Sequence, residues 1–192
     1  MTCRLACLFR EVDMILTGSH ISAERAAGRI VLDPFASNQI NPNSYNYRLG
    51  SSLKIPTVHC DGTVTFETLR IGAKGHVLQP HTMYLGSTLE LIGSYVYAMS
   101  LIGRSSLGRL GLFLQVSANL GHTGSAHHWT LELVAAQPIR IYPGMIVGQV
   151  TFWDNVGDIP KNNSFFARQH VPTESRFMAG WALPKADGKN AL

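Results

Sequence analysis

Two arginines and two serines stand close together in a glycine-rich segment, GRSSLGRLGL, at residues 103–112. Only 15% of the chain is charged, so a basic cluster beside an apolar run suggests a function. Arginine donates two parallel hydrogen bonds to phosphate, and glycine lets backbone N–H groups approach an anion. If residues 105–109 form a helical turn, Ser105 and Arg109 share one face. The segment indicates a pocket for a phosphorylated small molecule, although a surface loop with solvated arginines has the same composition.

A single carboxylate interrupts a long stretch without acidic residues. Glu132, in TLELV, is the only Asp or Glu between Glu90 and Asp154. In a strand its side chain points away from the face that carries Leu131 and Leu133. A carboxyl group in an apolar setting holds its proton to higher pH, which suits a proton carrier near neutral pH. The residues alone leave open that Glu132 faces solvent on the outer side of a sheet.

Three histidines, His122, His127 and His128, are close together in the sequence. They do not form the H-E-x-x-H pattern of zinc peptidases, and the H-x-E and P-C-x-x-C motifs of zinc deaminases are missing. The chain also lacks the nucleophile motif G-x-S-x-G and the phosphate loop G-x-x-x-x-G-K-[ST]. We therefore expect no metal site and no serine nucleophile.

Composition limits the class of protein. The 192 residues are 45% hydrophobic with a net charge of +4, which predicts a globular protein with one main core. No run of basic residues exceeds two, so no nucleic-acid partner is expected, and no apolar run is long enough to span a membrane. Three cysteines without a C-x-x-C pair argue against a disulfide framework and favour the cytoplasm.

Short strand-like segments recur about every 8 to 12 residues, which is typical of an all-β sandwich or barrel. One of them, residues 82–91, is predicted to be a single strand. A helix is predicted over residues 19–29, with Ser19 as its N-cap and Gly28 at its end. We expect an N-terminal extension at residues 1–13, a domain at 14–153 and a polar C-terminal tail at 154–192.

Several segments together resemble the dCTP deaminase family of the dUTPase-like superfamily. They are GRSSLGRLGL (103–112), VSAN (116–119), WTLEL (129–133) and IYPGMIVGQVTF (141–152), and the resemblance extends over about residues 14–177. It implies a mainly antiparallel, distorted jelly-roll or dUTPase-like β-barrel with a short N-terminal helix. It also implies a homotrimer with active sites between subunits.

The chemistry that the resemblance implies is hydrolytic deamination of a cytosine nucleotide without a metal ion. Glu132, Ser105 and Arg109 would be catalytic. A water held near Ser105 and the Ala118 backbone would attack C4 of cytosine, while Glu132 moves its proton towards N3 and the leaving ammonia. No cofactor is expected for this chemistry, and Mg²⁺ is expected only with a di- or triphosphate. The residues expected to contact the substrate are Arg104, Ser105, Ser106, Arg109, Ala118, His122, Thr130, Leu131 and Gln169.

The chain departs from the family pattern at the sugar and at the phosphates. His122 and Ser125 stand where the family has an aspartate and an aromatic residue, and Phe165 stands where it has a phosphate-binding lysine. A ribonucleotide, or CMP or dCMP in place of dCTP, is therefore a candidate substrate. Asn46 also replaces a family aspartate, in a position expected to be structural. The tail is expected to close over the active site.

A structural β-trimer that binds no ligand is one alternative, and two others remain from the sequence. One is a pyrimidine-nucleotide-binding module that retains the scaffold without catalysis. The other is a bifunctional deaminase and diphosphatase, although diphosphatase activity in this superfamily relies on the aspartate that His122 replaces.

Overall fold

The computed structural model describes residues 15–115, 118–159 and 172–173. The predicted N-terminal extension and most of the predicted tail lie outside these ranges. Helix α1 spans Gly18–Ala26, helix α2 spans Ser105–Gly108, and a 3-10 turn spans Ser37–Gln39. The strands are β1 (Ile30–Asp33), β2 (Ile40–Asn41), β3 (Ser44–Arg48), β4 (Ser52–Val58), β5 (Val64–Arg70), β6 (His76–Leu78), β7 (Met83–Ser87), β8 (Leu91–Ser94), β9 (Ala98–Gly103), β10 (Leu112–Leu114), β11 (Leu120–Gly121), β12 (Ser125–His127), β13 (Thr130–Ala135), β14 (Ile139–Ile141) and β15 (Ile146–Trp153).

The strands form four antiparallel sheets in the described part of the chain. Two sheets have five strands, in the orders β10-β13-β7-β4-β5 and β11-β9-β15-β3-β2. A three-stranded sheet has the order β1-β8-β12, and β14 pairs with β6. The prediction of a mainly antiparallel β fold with a short N-terminal helix is confirmed. None of the helices in the described ranges is long and apolar enough to cross a membrane.

The two five-stranded sheets contribute to one continuous hydrophobic core. Tyr45 and Tyr47 of β3 and Phe152 of β15 are fully buried, and they belong to the same cluster as Leu131 and Leu133 of β13. Each such side chain contributes about 1.5–3 kcal/mol when it is removed from water. The core therefore fixes which face of β13 points inwards.

The segment 82–91 is two strands, and the prediction of a single strand is wrong. β7 ends at Ser87 and β8 begins at Leu91 because the chain turns between them. The Thr88 hydroxyl donates to the Glu90 carbonyl over 2.8 Å and closes the turn. The Glu90 side chain points inwards and has no exposed surface. A single strand that continued through residue 90 would not turn this side chain into the interior.

Helix α1 begins one residue earlier than predicted, and Ser19 is not its N-cap. Thr17 occupies that position without a side-chain capping bond, and its hydroxyl lies 3.1 Å from that of Ser19. Gly28 ends the helix as predicted. Its φ of 75° lets the Arg29 N–H return to the Glu24 carbonyl over 2.9 Å.

Candidate active site

Strand β13 places Glu132 on the sheet face opposite the core. The pairs Leu112↔Ala135 and Leu114↔Leu133 align it with β10. Leu131 and Leu133 have no exposed surface, while Glu132 is half-buried between them, as the alternation in TLELV predicted. Leu85 of β7 pairs with Glu132 on the outer face and is only 5% exposed. The carboxylate thus lies beside covered apolar surface.

Gln115 connects Glu132 to Ala118, and sequence reasoning missed it. Its side-chain oxygen accepts from the Glu132 N–H over 2.9 Å, and its Nε2 donates to the Ala118 carbonyl over 3.2 Å. Strand β10 ends at Leu114, and the next residue, Gln115, has a φ of 50°. The available signal was a single polar residue inside the apolar run LFLQV.

Thr130, at the start of β13, contacts the C-terminal part of the chain. The Thr173 N–H donates to the Thr130 hydroxyl over 3.1 Å, and the neighbouring Pro172 is buried. This contact lies two residues from Glu132. Gln169 falls outside the described residues, so the structure does not place it.

The segment GRSSLGRLGL forms the helical turn that the sequence suggested. α2 begins after Arg104, and the Arg109 N–H donates to the Ser105 carbonyl over 3.0 Å. Ser105 and Arg109 therefore lie one turn apart on the same side. Ser105, Ser106 and Arg109 are exposed, and Arg104 is half-buried. The turn presents its two serines and Arg109 on the surface.

The helical turn that carries Arg104 and Arg109 is called the arginine turn below. The residues that follow it contact the end of β13 opposite to Glu132. The residues after α2 bind the last part of the strand and its following loop: the Ala136 N–H donates to Gly111, and Gln137 Nε2 donates to Leu110. Glu132 lies three residues before Ala135, or roughly 10 Å along the strand. Glu132 is thus joined through Gln115 to Ala118, whereas the residues that follow the arginine turn contact the far end of β13.

The three histidines occupy separate environments. His122 is exposed at the start of a turn, whereas His127 is buried and stacks on Trp129 with ring centroids 4.1 Å apart. His128 Nδ1 lies 3.3 Å from the Thr88 carbonyl. In the ranges that the structure describes, no three His, Cys, Asp or Glu side chains are grouped to hold a metal ion. Ser125, where an aromatic residue was expected from the resemblance, is a buried small side chain.

A buried ion pair supports the turn before β8. The fully buried Glu90 carboxylate accepts from Arg48 Nε over 2.6 Å, from the Arg48 N–H over 2.8 Å and from Gln39 Nε2 over 3.2 Å. Nearby, Asn46 is 6% exposed and its Nδ2 lies 3.4 Å from Asn41 Oδ1. Asn46 is thus part of the packed interior, in keeping with the structural role expected for it.

The same turn holds the beginning of β13. The Thr88 N–H donates to the Trp129 carbonyl and the Trp129 N–H donates to the Thr88 hydroxyl, each over 2.9 Å. The Trp129 indole also donates to the Ile92 carbonyl over 2.9 Å. The strand that carries Glu132 is therefore fixed just before Thr130.

Known proteins resemble this chain over most of its length. A family model described as dCTP deaminase-like matches residues 15–155. A protein of Rhodopirellula baltica named dCTP deaminase is 42% identical over 154 residues, which cover 79% of this chain and 77% of the relative. A protein of Clostridium acetobutylicum named dCTP deaminase, dUMP-forming, is 40% identical over 154 residues, which cover 79% of this chain and 88% of the relative.

A solved structure has the same fold. The crystal structure of 2'-deoxycytidine 5'-triphosphate deaminase from Agrobacterium tumefaciens superimposes with a TM-score of 0.61 at 21% sequence identity. The match covers 74% of this chain but 48% of the Agrobacterium chain, so this chain spans about half the length of that protein. At this identity the likeness concerns the fold alone.

Proposed function

This chain belongs to the dCTP deaminase-like family and is a nucleotide deaminase, and we propose that it converts a cytosine nucleotide to the uracil nucleotide and ammonia. The observation that carries the proposal is the half-buried Glu132, whose backbone is joined through Gln115 to the Ala118 carbonyl. The backbone of the candidate proton carrier is thus joined to a carbonyl that can accept a hydrogen bond from water.

In the proposed reaction a water molecule adds to C4 of cytosine. The Ser105 hydroxyl and the Ala118 backbone hold this water, and the Glu132 carboxylate accepts one of its protons as the C4–O bond forms. Glu132 delivers that proton to N3, and the proton that remains on the added hydroxyl passes to the amino group as the C4 carbonyl forms. The C4–N bond then breaks and ammonia leaves. Positioned proton transfer of this kind contributes about 10²–10⁴-fold to rate. No cofactor takes part in these steps.

The arginine turn is proposed to bind the phosphates. Arg104, Ser106 and Arg109 lie on or beside α2, where a planar guanidinium and a hydroxyl reach the same anion. Arg109 also helps to hold the charge near the base. If the substrate is a di- or triphosphate, Mg²⁺ binds the phosphate oxygens and neutralises their charge.

We further propose a homotrimer in which two copies share each site. Within one chain the residues after the turn contact the end of β13 that lies away from Glu132, and a second copy would bring a turn to the carboxylate. Large apolar side chains around the turn also remain exposed: Leu110 by 54%, Phe113 by 46%, Ile102 by 42% and Leu120 by 58%. Such surface favours association. Light scattering should give the mass of three 21.0-kDa chains. A monomer at micromolar concentration would contradict the shared site.

The sugar and phosphate preferences follow from the residues that depart from the family pattern. His122 is exposed at the mouth of its turn, where it can donate or accept one hydrogen bond but is not a fixed anion. Thr130 lies on the same face of β13 as Glu132, whereas the Leu131 side chain is buried in the core and cannot contact a substrate as the sequence suggested. We propose that the enzyme accepts a ribonucleotide or a nucleotide with fewer phosphates, with Gln169 and the tail covering the site. Contact between Thr173 and Thr130 supports that position of the tail.

The test uses CMP, dCMP, CTP and dCTP separately, with ammonia release and loss of cytosine absorbance as readouts. Wild type should turn over at least one of them. Glu132→Gln, which keeps size but cannot carry the proton, should lower kcat by about 10²–10⁴-fold. Glu67→Gln, at an exposed position of β5, is the matched control and should retain activity. Equal nucleotide binding without ammonia from any substrate would instead support the binding module.

A bifunctional reaction is the second candidate because the Clostridium acetobutylicum relative is named dUMP-forming. Deamination of dCTP alone gives dUTP and ammonia, whereas formation of dUMP uses a second water and releases pyrophosphate. Measurement of pyrophosphate beside ammonia separates the two. We expect ammonia without pyrophosphate, since His122 stands where diphosphatase activity relies on an aspartate. We also propose a cytoplasmic location and no nucleic-acid or membrane partner.

A further inference from the structure

We propose that Gln115 is a positioning residue that sets the Glu132 carboxylate at a fixed distance from the attacking water. The inference rests on the proposed deaminase function and concerns how its site is held together. Gln115 has no part in the assignments drawn from the sequence. It would act through the backbones of Glu132 and Ala118 and not by touching the substrate.

Both ends of the Gln115 carboxamide are engaged with the site. The Glu132 N–H can only donate, so it requires the amide oxygen, which lies 2.9 Å away. The Ala118 carbonyl can only accept, so it requires the amide nitrogen, which lies 3.2 Å away. These partners fix the orientation of the carboxamide without ambiguity. One planar group therefore spans two chain segments that are 17 and 3 residues away from it.

The backbone at Gln115 is adapted to this bridge. Its φ of 50° lies in the left-handed region, which is unfavourable for a residue other than glycine. Its N–H is directed at the Glu132 carbonyl, 3.4 Å away, at the point where β10 ends. Gln115 thus contacts both backbone groups of Glu132. The unfavourable conformation turns the chain towards Ala118 while the side chain stays attached to β13.

The bridge has a direct consequence for the chemistry. A carbonyl oxygen accepts two hydrogen bonds, so the bond from Gln115 leaves the Ala118 oxygen able to hold a water. The bond to the Glu132 N–H fixes the backbone from which the Glu132 side chain extends. The carboxylate of that side chain takes a proton from the water. An error of about 1 Å in such a geometry can cost roughly 10²-fold in rate. Gln115 should therefore influence kcat much more than nucleotide affinity.

Two variants separate this role from packing. Gln115→Met has similar length and no hydrogen bonds, and it should lower kcat by about 10–100-fold while KM changes by less than about threefold. Gln115→Glu keeps the acceptor for the Glu132 N–H but loses the donor to Ala118. Gln79→Met, at an exposed site between β6 and β7, is the matched control and should keep the wild-type kcat.

The pH dependence of Gln115→Glu gives a readout that a packing role would not move. When the introduced carboxyl is protonated it again donates to the Ala118 carbonyl. The ratio of variant kcat to wild-type kcat should therefore rise about tenfold or more as pH falls from 8 to 5, towards the usual pKa of a glutamate.

The outcomes distinguish the inference from the proposed function. If wild type is active and Gln115→Met has the wild-type kcat, the positioning role is overturned and the proposed function is not. A constant ratio across pH, or a loss in Gln115→Met that appears wholly in KM, also overturns it. Wild type that releases no ammonia from any of the four cytosine nucleotides overturns the proposed function, and the positioning role falls with it.

Discussion

Glu90→Ala should destabilise the protein strongly because it leaves several buried donors without a partner. The Glu90 carboxylate has no exposed surface, and it accepts hydrogen bonds from Arg48 Nε, the Arg48 N–H and Gln39 Nε2. Removing one member of a buried ion pair costs about 3–5 kcal/mol. The Arg48 side chain is 27% exposed and regains some hydration, so we expect a loss of about 3 kcal/mol in the free energy of unfolding.

Two companion variants test the assignment of this energy. Glu90→Gln keeps an acceptor oxygen and the packing, and should cost about half as much. Arg48→Met removes the charge partner, and the double variant Glu90→Ala, Arg48→Met should be less destabilised than the sum of the single variants by about 1–3 kcal/mol. The assay is urea unfolding at one fixed protein concentration, because association also stabilises the folded state. A loss of less than about 1 kcal/mol in Glu90→Ala would refute the reasoning.

The same substitution should reach the active site through the turn at Thr88–Glu90. The Glu90 carbonyl accepts from the Thr88 hydroxyl, and Thr88 holds the backbone of Trp129 at the start of β13. Under conditions where Glu90→Ala remains folded, its kcat should therefore fall, whereas Glu67→Gln on the exposed edge strand should leave kcat unchanged.

Two further perturbations follow from other contacts. The hydrogen bonds from Arg29 lower the pKa of Glu24 from 4.5 to about 2 against an opposing effect of burial, so the stabilisation is fully present above pH 4.5 and is lost as pH falls towards 2. Glu24→Gln should lower the free energy of unfolding by about 1–2 kcal/mol at pH 7. The loss is modest because the Arg29 side chain is half-exposed and its charge is screened by solvent. The difference between variant and wild type should shrink in unfolding curves at pH 3. Gly148→Ala would place its Cβ against the buried Tyr47 ring, and a loss of about 1–3 kcal/mol is expected by thermal unfolding; an unchanged midpoint would contradict that packing.

The sequence was most informative where the determinants are local. The helical turn of GRSSLGRLGL and the alternation in TLELV both depend on residues within one turn or one strand. The repeated short segments were enough to predict a mainly β fold. These features require no knowledge of distant partners.

The features that the sequence could not reveal depend on distant contacts. The break between β7 and β8 arises because Glu90 pairs with Arg48, 42 residues away. Gln115 bridges to Glu132, 17 residues away, and its polarity within the apolar run LFLQV does not identify that partner. Ser19 and Thr17 are both good N-cap residues, so composition did not decide between them. The separation of the arginine turn from Glu132 likewise becomes visible only once β10 and β13 are paired.

The most direct test of a deaminase site shared between copies is recovery of activity from two inactive variants. Glu132→Gln and Arg109→Ala would be purified, unfolded, mixed in equal amounts and refolded together, and ammonia release would be measured on the preferred nucleotide. If each site takes Glu132 from one copy and Arg109 from another, about a quarter of the sites in random trimers are intact, so about a quarter of the activity of refolded wild type should return. Recovery no greater than that of either variant refolded alone, with wild type active after the same treatment, would contradict the shared site.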